Sequence, residues 1–381
     1  MKIGIFTNNY LPNPYGVTGS IESFRLKFEA LWHNVHIFAP SWAGYTDSNQ
    51  NVYRFPSFDL PIRMRFPIAI PYSKKIDAII KNLDLDIIHA QHPNLIGSVA
   101  SRWAKKKKIP LVFTWHTRYD LYTDYVPFLP SKFSAWYMVG KARKFANKAD
   151  MVIVPTESMM PILEKWGIRT KMVPIATGVD EKQLSNAEGQ IVRKKYGVRE
   201  DEALLLVVTR LAPEKNIEFL FLAVCLILKK NPRVKFLVVA GGYLQLKLEK
   251  IVEQENLGRQ VIFAGHVSNE EKKNYYAAAD IFVFSSLSET QGMVITEAMY
   301  MGLPIVAVKA PGPESLVVND QNGLLVENDA EKFATAVERL VDNRDLRLQM
   351  GQVSKKIAQE KYTDKICAAK MLEVYNSLLK Q

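Results

Sequence analysis

Residues 281–304 read IFVFSSLSETQGMVITEAMYMGLP, and this stretch indicates the fold. Its first apolar run, Ile281–Ser285, has the length and composition of a buried β-strand. A polar turn, a helical segment (Met293–Met301) and a second apolar run (Ile305–Val308) follow. A strand, a helix and another strand that is apolar throughout are typical of a parallel sheet covered by helices on both faces.

The same alternation extends in both directions from this stretch. Short apolar runs separated by helical segments predict further strands at 2–6, 34–39, 87–90, 111–114, 151–155, 204–208, 235–240 and 261–264. We therefore expect an α/β protein with two doubly wound domains and a ligand cleft between them. The predicted parts are an N-terminal domain (1–172), a polar, glycine-containing linker region (173–203), a C-terminal domain (204–361) and a terminal helix (362–381).

Composition narrows the class of protein. The 381 residues are 48% hydrophobic, enough for sizeable cores, and two cysteines in such a chain indicate thiols in a reducing compartment. We expect no signal peptide and no membrane-spanning segment, since the longest apolar run, FLFLAVCLIL at 219–228, is far shorter than the roughly 20 residues required.

The formal charge of +11 is unevenly distributed. Residues 1–170 contain 22 Lys+Arg and 12 Asp+Glu, whereas the remaining residues contain 28 and 27. The first half is therefore expected to face an anionic partner. No nucleic-acid-binding motif is present in the sequence, so a nucleic acid is not the expected partner.

The turn inside the opening stretch carries candidate phosphate-binding groups. Gln291, Gly292 and Met293 stand at the predicted start of a helix, where backbone N–H groups and the helix dipole favour a phosphate. Glu289 precedes this helix and Glu297 lies within it, and carboxylates accept hydrogen bonds from sugar hydroxyls. A diphosphate between two sugars fits this arrangement; an acid-rich amphipathic helix without a ligand is the alternative.

A second loop brings positive charge to the same predicted sheet edge. Arg210 and Lys215 follow the predicted strand Leu204–Val208. Two cations opposite a helix N-terminus would neutralise a departing diphosphate. Cations exposed in a solvated loop are the alternative.

These motifs resemble the signature of the retaining glycosyltransferases of family 4. The two glutamates, which are separated by seven intervening residues and followed by Ala-Met-x-x-Gly-x-Pro (298–304), are similar to the family signature. Arg-Leu-x-x-Glu-Lys at 210–215 is similar to the family's donor-phosphate motif, and Tyr10-Leu11-Pro12 with Gly16-Val17 to its first glycine loop. The resemblance spans essentially the whole chain. It implies a GT-B fold of two Rossmann-like, doubly wound domains, in which the last helix returns to the first domain. It also implies a nucleotide sugar as co-substrate and no metal or other cofactor.

The resemblance also implies a role for individual residues. Glu297 would bind the ribose hydroxyls of the donor, Glu289 would face the donor sugar, and His116 would touch the transferred sugar. The remaining donor-binding positions would be Gly16, Val17, Arg210, Lys215, Val267, Thr290, Gln291, Gly292 and Met293. Family members often have Glu-Gly-Phe-Gly where this chain has Glu289-Thr290-Gln291-Gly292, and the Thr-Gln form resembles a subgroup that acts on lipids.

The implied chemistry is departure of a nucleoside diphosphate from the anomeric carbon through an oxocarbenium-like state, stabilised by cations and helix amides. Attack by the acceptor from the face of the leaving group is favoured over a double displacement at Glu289. A glycosidase also uses two carboxylates, but it releases no diphosphate and has no use for the cationic loop.

A further stretch bears on the acceptor. Residues 114–127, TWHTRYDLYTDYVP, are similar to the tyrosine-rich stretch of diacylglycerol glucosyltransferases and related glycolipid synthases. Residues 131–148, SKFSAWYMVGKARKFANK, mix aromatic and basic side chains that suit an anionic headgroup interface. A packed core with solvated lysines is the alternative. The candidate acceptor or membrane residues are Tyr119, Asp120, Tyr122, Lys132, Trp136, Lys141, Arg143 and Lys144.

We therefore expect a hexosyltransferase that moves glucose from UDP-glucose to a membrane lipid such as diacylglycerol, forming an α-glycosidic bond. It would be cytoplasmic and bound peripherally to the inner face of the cell membrane. The alternatives are a soluble sugar, phosphatidylinositol or a polyprenyl-linked glycan as acceptor, GDP-mannose or UDP-galactose as donor, and a nucleotide-sugar epimerase of the same architecture.

Overall fold

The computed structural model describes residues 1–13, 16–59, 67–121 and 131–380, without the side chains of Ser131 and Lys132. The chain divides into two compact units. The first unit contains residues up to Gly178 together with the segment from Asp364 onward, and the second contains Val179–Thr363. Residues 173–203 do not form a separate linker, because the division after Gly178 assigns 173–178 to the first unit and 179–203 to the second.

Each unit is built on one parallel sheet. The strands are β1 (Lys2–Phe6), β2 (Asn34–Pro40), β3 (Val52–Phe55), β4 (Ser57–Phe58), β5 (Ile68–Ala69), β6 (Ile87–Ala90), β7 (Leu111–Thr114), β8 (Met151–Val154), β9 (Met172–Pro174), β10 (Ala203–Val208), β11 (Val234–Val239), β12 (Val261–Phe263), β13 (Ile281–Phe284), β14 (Ile305–Val308) and β15 (Gly323–Val326).

The strand orders are those of doubly wound sheets. The first unit has the order β3-β2-β1-β6-β7-β8-β9 and the second has β12-β11-β10-β13-β14-β15, while β4 and β5 form a small antiparallel pair. In each parallel sheet the first strand along the chain lies inside the sheet and not at an edge. The strand order therefore reverses between β1 and β6 in the first unit and between β10 and β13 in the second. Such reversals place ligand sites at the carboxyl ends of the strands.

Helices connect the strands. They are α1 (Gly16–Ala30), α2 (Lys74–Asn82), α3 (Ile96–Lys107), α4 (Ser131–Ala146), α5 (Met160–Lys165), α6 (Glu181–Leu184), α7 (Gly189–Lys195), α8 (Ile217–Lys230), α9 (Gln245–Gln254), α10 (Asn269–Ala278), α11 (Met293–Tyr300), α12 (Pro311–Leu316), α13 (Ala330–Val341), α14 (Arg344–Lys361) and α15 (Asp364–Leu379).

Burial explains the apolar sequence runs. Every residue of β6, β7, β8, β10, β13 and β14 is buried, as expected for strands covered on both faces. The apolar run at 219–228 lies in α8, which packs into the core of the second unit. Across the described residues, no helix is both long enough and apolar enough to cross a bilayer.

The last helix, α15, packs within the first unit. Tyr375 is fully buried against Phe28 of α1, and its hydroxyl lies 2.6 Å from Nδ1 of His89 in the central strand β6. The other ring nitrogen of His89 lies 2.6 Å from the Thr114 hydroxyl. Burial lowers the pKa of His89 to about 3, so the ring is neutral and serves as a hydrogen-bonded link between sheet and helix.

Candidate active site

The candidate donor site of the second unit lies where its strand order reverses. Two loops leave the carboxyl ends of the neighbouring strands β10 and β13: residues 209–216, here called the Arg210 loop, and residues 285–292, here called the Glu289 loop. The carboxyl ends of neighbouring parallel strands meet at one edge, so the topology brings together the two loops that the sequence indicated.

Hydrogen bonds join the two loops. The Ser285 hydroxyl donates to the carbonyl oxygen of Lys215 over 3.0 Å, and the Ser288 hydroxyl donates to that of Glu214 over 3.0 Å. Asn216 donates its side-chain amide to the carbonyl oxygen of Ser285 over 3.2 Å. These hydrogen bonds therefore hold the two loops together. Ser285 and Ser288 were not among the site residues predicted from the sequence.

The predicted cation and the predicted sugar-facing carboxylate are in direct contact. Nζ of Lys215 lies 2.5 Å from Oε1 of Glu289, and both side chains are largely shielded from water. Charge-assisted hydrogen bonds are shorter and stronger than neutral ones, so this pair fixes both groups.

The other predicted cation is more exposed. Arg210 lies 3.0 Å from Oε1 of Glu214, which is itself part of the Arg210 loop. The Arg210 side chain is 41% exposed, so it is accessible at the sheet edge. Among the residues with described side chains, no group of three His, Cys, Asp or Glu side chains is close enough together to hold a metal ion.

The Glu289 loop ends in a glycine that starts the helix. Gly292 has a φ of +85°, a left-handed conformation that residues with a Cβ rarely adopt, and α11 begins at the next residue. Thr290 and Gln291 beside it are buried. Gly312 in α12 packs against this loop so closely that a Cβ would lie 2.6 Å from the Gln291 carbonyl oxygen. The loop that leads into the N-terminus of α11 is therefore packed closely against α12.

Glu297 is held by two residues of α10. Nζ of Lys272 lies 2.8 Å from its Oε1, and the Tyr276 hydroxyl donates to its Oε2 over 2.6 Å. Tyr276 is fully buried, and this burial together with the Glu297 carboxylate raises the pKa of the phenol well above 10. The sequence reasoning found Glu297 but neither of its partners.

Val267 follows the edge strand β12 and is partly buried. Gly265 before it has a φ of +71°, which permits the turn. Beyond β11, Gly241 packs against the ring of His266, where a Cβ would lie 2.4 Å from Nε2. The Gly241-Gly242 pair is therefore a second point of close approach, and no recognised motif indicated it.

The predicted residues of the first unit lie at the corresponding edge of its sheet. His116 follows β7, and its Nε2 lies 2.6 Å from Oε1 of Gln91, the residue after β6. Burial, with smaller effects from His92 and His89, lowers the pKa of His116 to about 3. Gly16 is exposed at the start of α1 and Val17 is partly buried beside it.

Two family models cover most of this chain. A Glycosyltransferase Family 4 model matches residues 16–183, and a Glycosyl transferases group 1 model matches residues 189–357. The chain belongs to the family 4 glycosyltransferases. The enzyme class and the GT-B arrangement of two Rossmann-like domains are therefore as expected from the sequence.

Relatives of this glycosyltransferase include two lipid-modifying enzymes. The α-monoglucosyldiacylglycerol synthase of Acholeplasma laidlawii is 28% identical over 100% of this chain and 98% of its own length. The enzyme of that name from Streptococcus pneumoniae is 28% identical over 91% of this chain and 80% of its own. Sucrose-phosphate synthase from Thermosynechococcus elongatus has the same fold, with a TM-score of 0.82, 20% identity and coverage of 100% of this chain and 99% of its own.

The glycosyltransferase presents part of its predicted acceptor region on the surface. Phe133, Trp136 and Tyr137 near the start of α4 are exposed, with 70% of Trp136 accessible, and Lys141 lies over the ring of Tyr137. Arg143 and Lys144 are also exposed, whereas the opposite stripe of α4, with Ala142, Phe145 and Ala146, is buried. The helix therefore has one core face and one aromatic and basic face.

The rest of the acceptor region differs from a surface patch. Tyr119 is buried edge-on against Trp115, so it is a packing residue and not a membrane-facing one. Asp120 forms a two-pronged ion pair with Arg118 at 2.9 and 2.8 Å. Tyr122 and the side chain of Lys132 lie outside the described residues.

Proposed function

We propose that this protein is a retaining glucosyltransferase that moves glucose from UDP-glucose to diacylglycerol, forming an α-glycosidic bond. The observation that carries the proposal is the joined pair of loops at the strand reversal, where Lys215 contacts Glu289 beside the N-terminus of α11 and Glu297 lies within the same helix. This arrangement suits a diphosphate flanked by two sugars. The two relatives that are named α-monoglucosyldiacylglycerol synthases support the choice of sugar and acceptor.

In the proposed reaction the bond between the anomeric carbon and the diphosphate oxygen breaks, and the acceptor hydroxyl oxygen forms a new bond on the same face. The acceptor proton passes to the departing diphosphate. Lys215, Arg210 and the amides at the start of α11 would stabilise the negative charge that develops on the leaving group. We expect no metal cofactor because these groups supply the positive potential.

Peripheral membrane binding is the second part of the proposal. The exposed aromatic and basic face of α4, in the half of the chain with 22 Lys+Arg against 12 Asp+Glu, supports docking on an anionic bilayer. Aromatic side chains insert at the headgroup level, and each basic residue adds about 1 kcal/mol near an anionic leaflet. Acceptor diacylglycerol resides in that bilayer, so docking would also deliver the acceptor.

Product analysis tests the transfer. Purified enzyme is incubated with diacylglycerol-containing vesicles and either UDP-glucose, UDP-galactose or GDP-mannose, and the lipid product is identified by mass spectrometry and anomeric NMR. We expect α-glucosyldiacylglycerol from UDP-glucose, and a loss of about 100-fold or more in kcat for Lys215→Ala. The matched control is Lys230→Ala, which removes the exposed lysine paired with Glu338 at the far end of α8. A β-linked product, another preferred donor, or full activity of Lys215→Ala contradicts the proposal.

Flotation with vesicles tests docking. The Trp136→Ala and Phe133→Ala double variant should float less well than wild type with phosphatidylglycerol vesicles, and wild-type flotation should weaken as salt is raised. The matched control is Trp32→Ala, because Trp32 is 94% exposed but follows α1, a helix that packs with α15. Equal flotation of the double variant and the control would rule out α4 as the docking helix.

A further inference from the structure

The carboxylate of Glu297 is held by protein donors on both of its oxygens. Lys272 contacts Oε1 at 2.8 Å and Tyr276 contacts Oε2 at 2.6 Å. The two donors stand four residues apart on α10, so they project from the same face of that helix. The Glu297 side chain is only 13% exposed, and the two contacts leave it little rotational freedom.

A carboxylate has more accepting capacity than these two contacts use. Each oxygen can accept about two hydrogen bonds, so one position on each oxygen of Glu297 stays available. Two vicinal hydroxyls of a ribose present two donors at a spacing that suits the two oxygens of one carboxylate. Lys272 and Tyr276, here called the clamp, therefore leave the carboxylate of Glu297 with two accepting positions that match the two donors of a cis-diol.

We propose that Lys272 and Tyr276 are positioning residues that aim Glu297 at the 2′- and 3′-hydroxyls of the donor ribose, and that they thereby set the selectivity for ribose over deoxyribose. The inference rests on the proposed nucleotide-sugar donor and extends it to two residues outside the recognised motifs. Neither residue touches the ligand in this role; both act through Glu297.

The support behind the clamp is rigid. Tyr276 is fully buried, and its ring packs 6.0 Å from that of Phe282 in β13, the strand that leads into the Glu289 loop. The first turn of α10 is capped by the Ser268 hydroxyl, which accepts from the Glu271 amide over 3.2 Å. Lys272 is 15% exposed, so its ammonium is also largely shielded. A carboxylate held in this way loses little further freedom on binding, which favours affinity and selectivity.

Tyr275 is a matched control within the same helix. It is also buried, but its hydroxyl lies 3.3 Å from that of Tyr196 and 3.4 Å from Nζ of Lys195. Tyr275→Phe removes the same atom as Tyr276→Phe without touching Glu297. Any effect of losing a buried phenol hydroxyl in general appears in both variants.

The experiment is calorimetric titration of the full chain with UDP and with 2′-deoxy-UDP, or with the guanine pair if the donor screen selects GDP. Wild type and Tyr275→Phe should bind the ribose form about tenfold or more tightly than the deoxy form, as expected for one hydrogen bond to a charged group. Tyr276→Phe should weaken UDP binding and leave 2′-deoxy-UDP binding almost unchanged, so that the ratio falls toward one. Lys272→Met should act likewise, and Lys272→Arg should restore part of the ratio because it keeps a cationic donor.

The outcomes separate this inference from the proposed function. If wild type binds UDP and 2′-deoxy-UDP equally, or binds neither pair, the assignment of Glu297 to the ribose fails and the inference fails with it. If wild type discriminates and Tyr276→Phe and Lys272→Met discriminate equally well, the donor assignment stands and the clamp is overturned. Thermal melting checks each variant; if Tyr276→Phe does not fold, the Lys272→Met and Lys272→Arg pair decides.

Discussion

Replacement of Gly312 by alanine should misplace the helix N-terminus that we assign to the diphosphate. Gly312 lies in α12, away from the two recognised glutamates in sequence, yet it packs on the Glu289 loop. A Cβ at this position would lie 2.6 Å from the Gln291 carbonyl oxygen and 3.0 Å from Cβ of Glu289. Both neighbours are part of the loop that would bind the donor.

The size of the effect follows from these distances. Ordinary van der Waals contact begins at 3.4 Å, so the new methyl group and the Gln291 carbonyl must separate by about 0.8 Å. A displacement of about 1 Å in a binding group can cost about 100-fold in rate. Helix propensity acts in the opposite direction, because alanine is favoured over glycine inside a helix by about 0.5–1 kcal/mol. We therefore expect Gly312→Ala to lose 10- to 100-fold in kcat/KM for the donor, at a stability cost of about 1–3 kcal/mol.

Two alanine variants serve as controls in steady-state assays with matched thermal melts. A Cβ at Gly258 meets nothing within 4 Å, so Gly258→Ala should be silent. A Cβ at Gly323 would lie 2.1 Å from the Ile305 carbonyl oxygen in the sheet, so Gly323→Ala should lower the melting temperature by steric strain at the pairing of β14 with β15. Wild-type donor kinetics for Gly312→Ala would refute the reasoning, as would a loss of activity that only parallels the loss of stability in Gly323→Ala.

Three further changes test other contacts. The pKa of His89 is about 3 in the folded state, whereas its ordinary pKa of 6.5 applies when the chain is unfolded, so the free energy of unfolding falls as the pH drops from about 6 to 4. His89→Gln should reduce this pH dependence by about 1.4 kcal/mol per pH unit, measured by urea unfolding. Gln91→Leu removes the side-chain oxygen that lies 2.6 Å from Nε2 of His116, and it should lower kcat about tenfold with little change in donor KM. An unchanged kcat in the steady-state assay would show that Gln91 does not position His116. Ser288→Ala removes one hydrogen bond between the two loops, so it should lower the free energy of unfolding by about 1 kcal/mol in denaturant titration and raise donor KM. A change in stability alone would mean that this hydrogen bond does not shape the candidate donor site.

The central part of the fold was predictable because parallel strands buried on both faces produce continuous apolar runs. Strands β10 and β13 are buried at every residue, and the sequence runs identified them within one residue at either end. The strands that the runs did not reveal lie toward the edges or are interrupted. β3 contains Arg54 and is mostly half-buried, β9 ends in Pro174, and β15 starts with Gly323. Polar residues, proline and glycine are tolerated in such strands and remove the signal.

The expected linker shows a different limit. Residues 179–203 are polar and contain glycines, which is the composition of a flexible connection. In the structure they form α6 and α7, and α7 packs on α10. The first residue of α7, Gly189, lies so close to α10 that a Cβ there would be 2.4 Å from the Ala277 carbonyl oxygen. Two helices this short have too few apolar residues for a periodic sequence signal, so tertiary packing decides their structure.

The candidate site shows the same difference between what a local sequence pattern indicates and what tertiary contacts decide. Motif spacing identified Glu289, Glu297, Arg210 and Lys215 because they lie in contiguous signatures. Lys272 and Tyr276 reach Glu297 from 25 and 21 residues away, and Gln91 reaches His116 from 25 residues away. No local pattern encodes these contacts, since they depend on which strands and helices become neighbours. The sequence thus locates the groups that we propose to meet the ligand, and the fold supplies the groups that hold them.

The pairing of charges at the site also explains how the net charge is distributed. In the second unit, Lys215, Lys272 and Arg210 each contact a glutamate, so the candidate donor site is close to neutral over short distances. Pairs that are largely shielded from water are weakly screened by salt, whereas exposed charges are screened beyond about 10 Å at 0.1 M ionic strength. The exposed basic residues of α4 belong to the second kind. Raising the salt concentration should therefore increase the apparent KM for lipid presented in anionic vesicles much more than the KM for the donor. Equal salt dependence of the two constants would mean that the excess charge of the first half serves the donor, and that α4 has no part in collecting the acceptor.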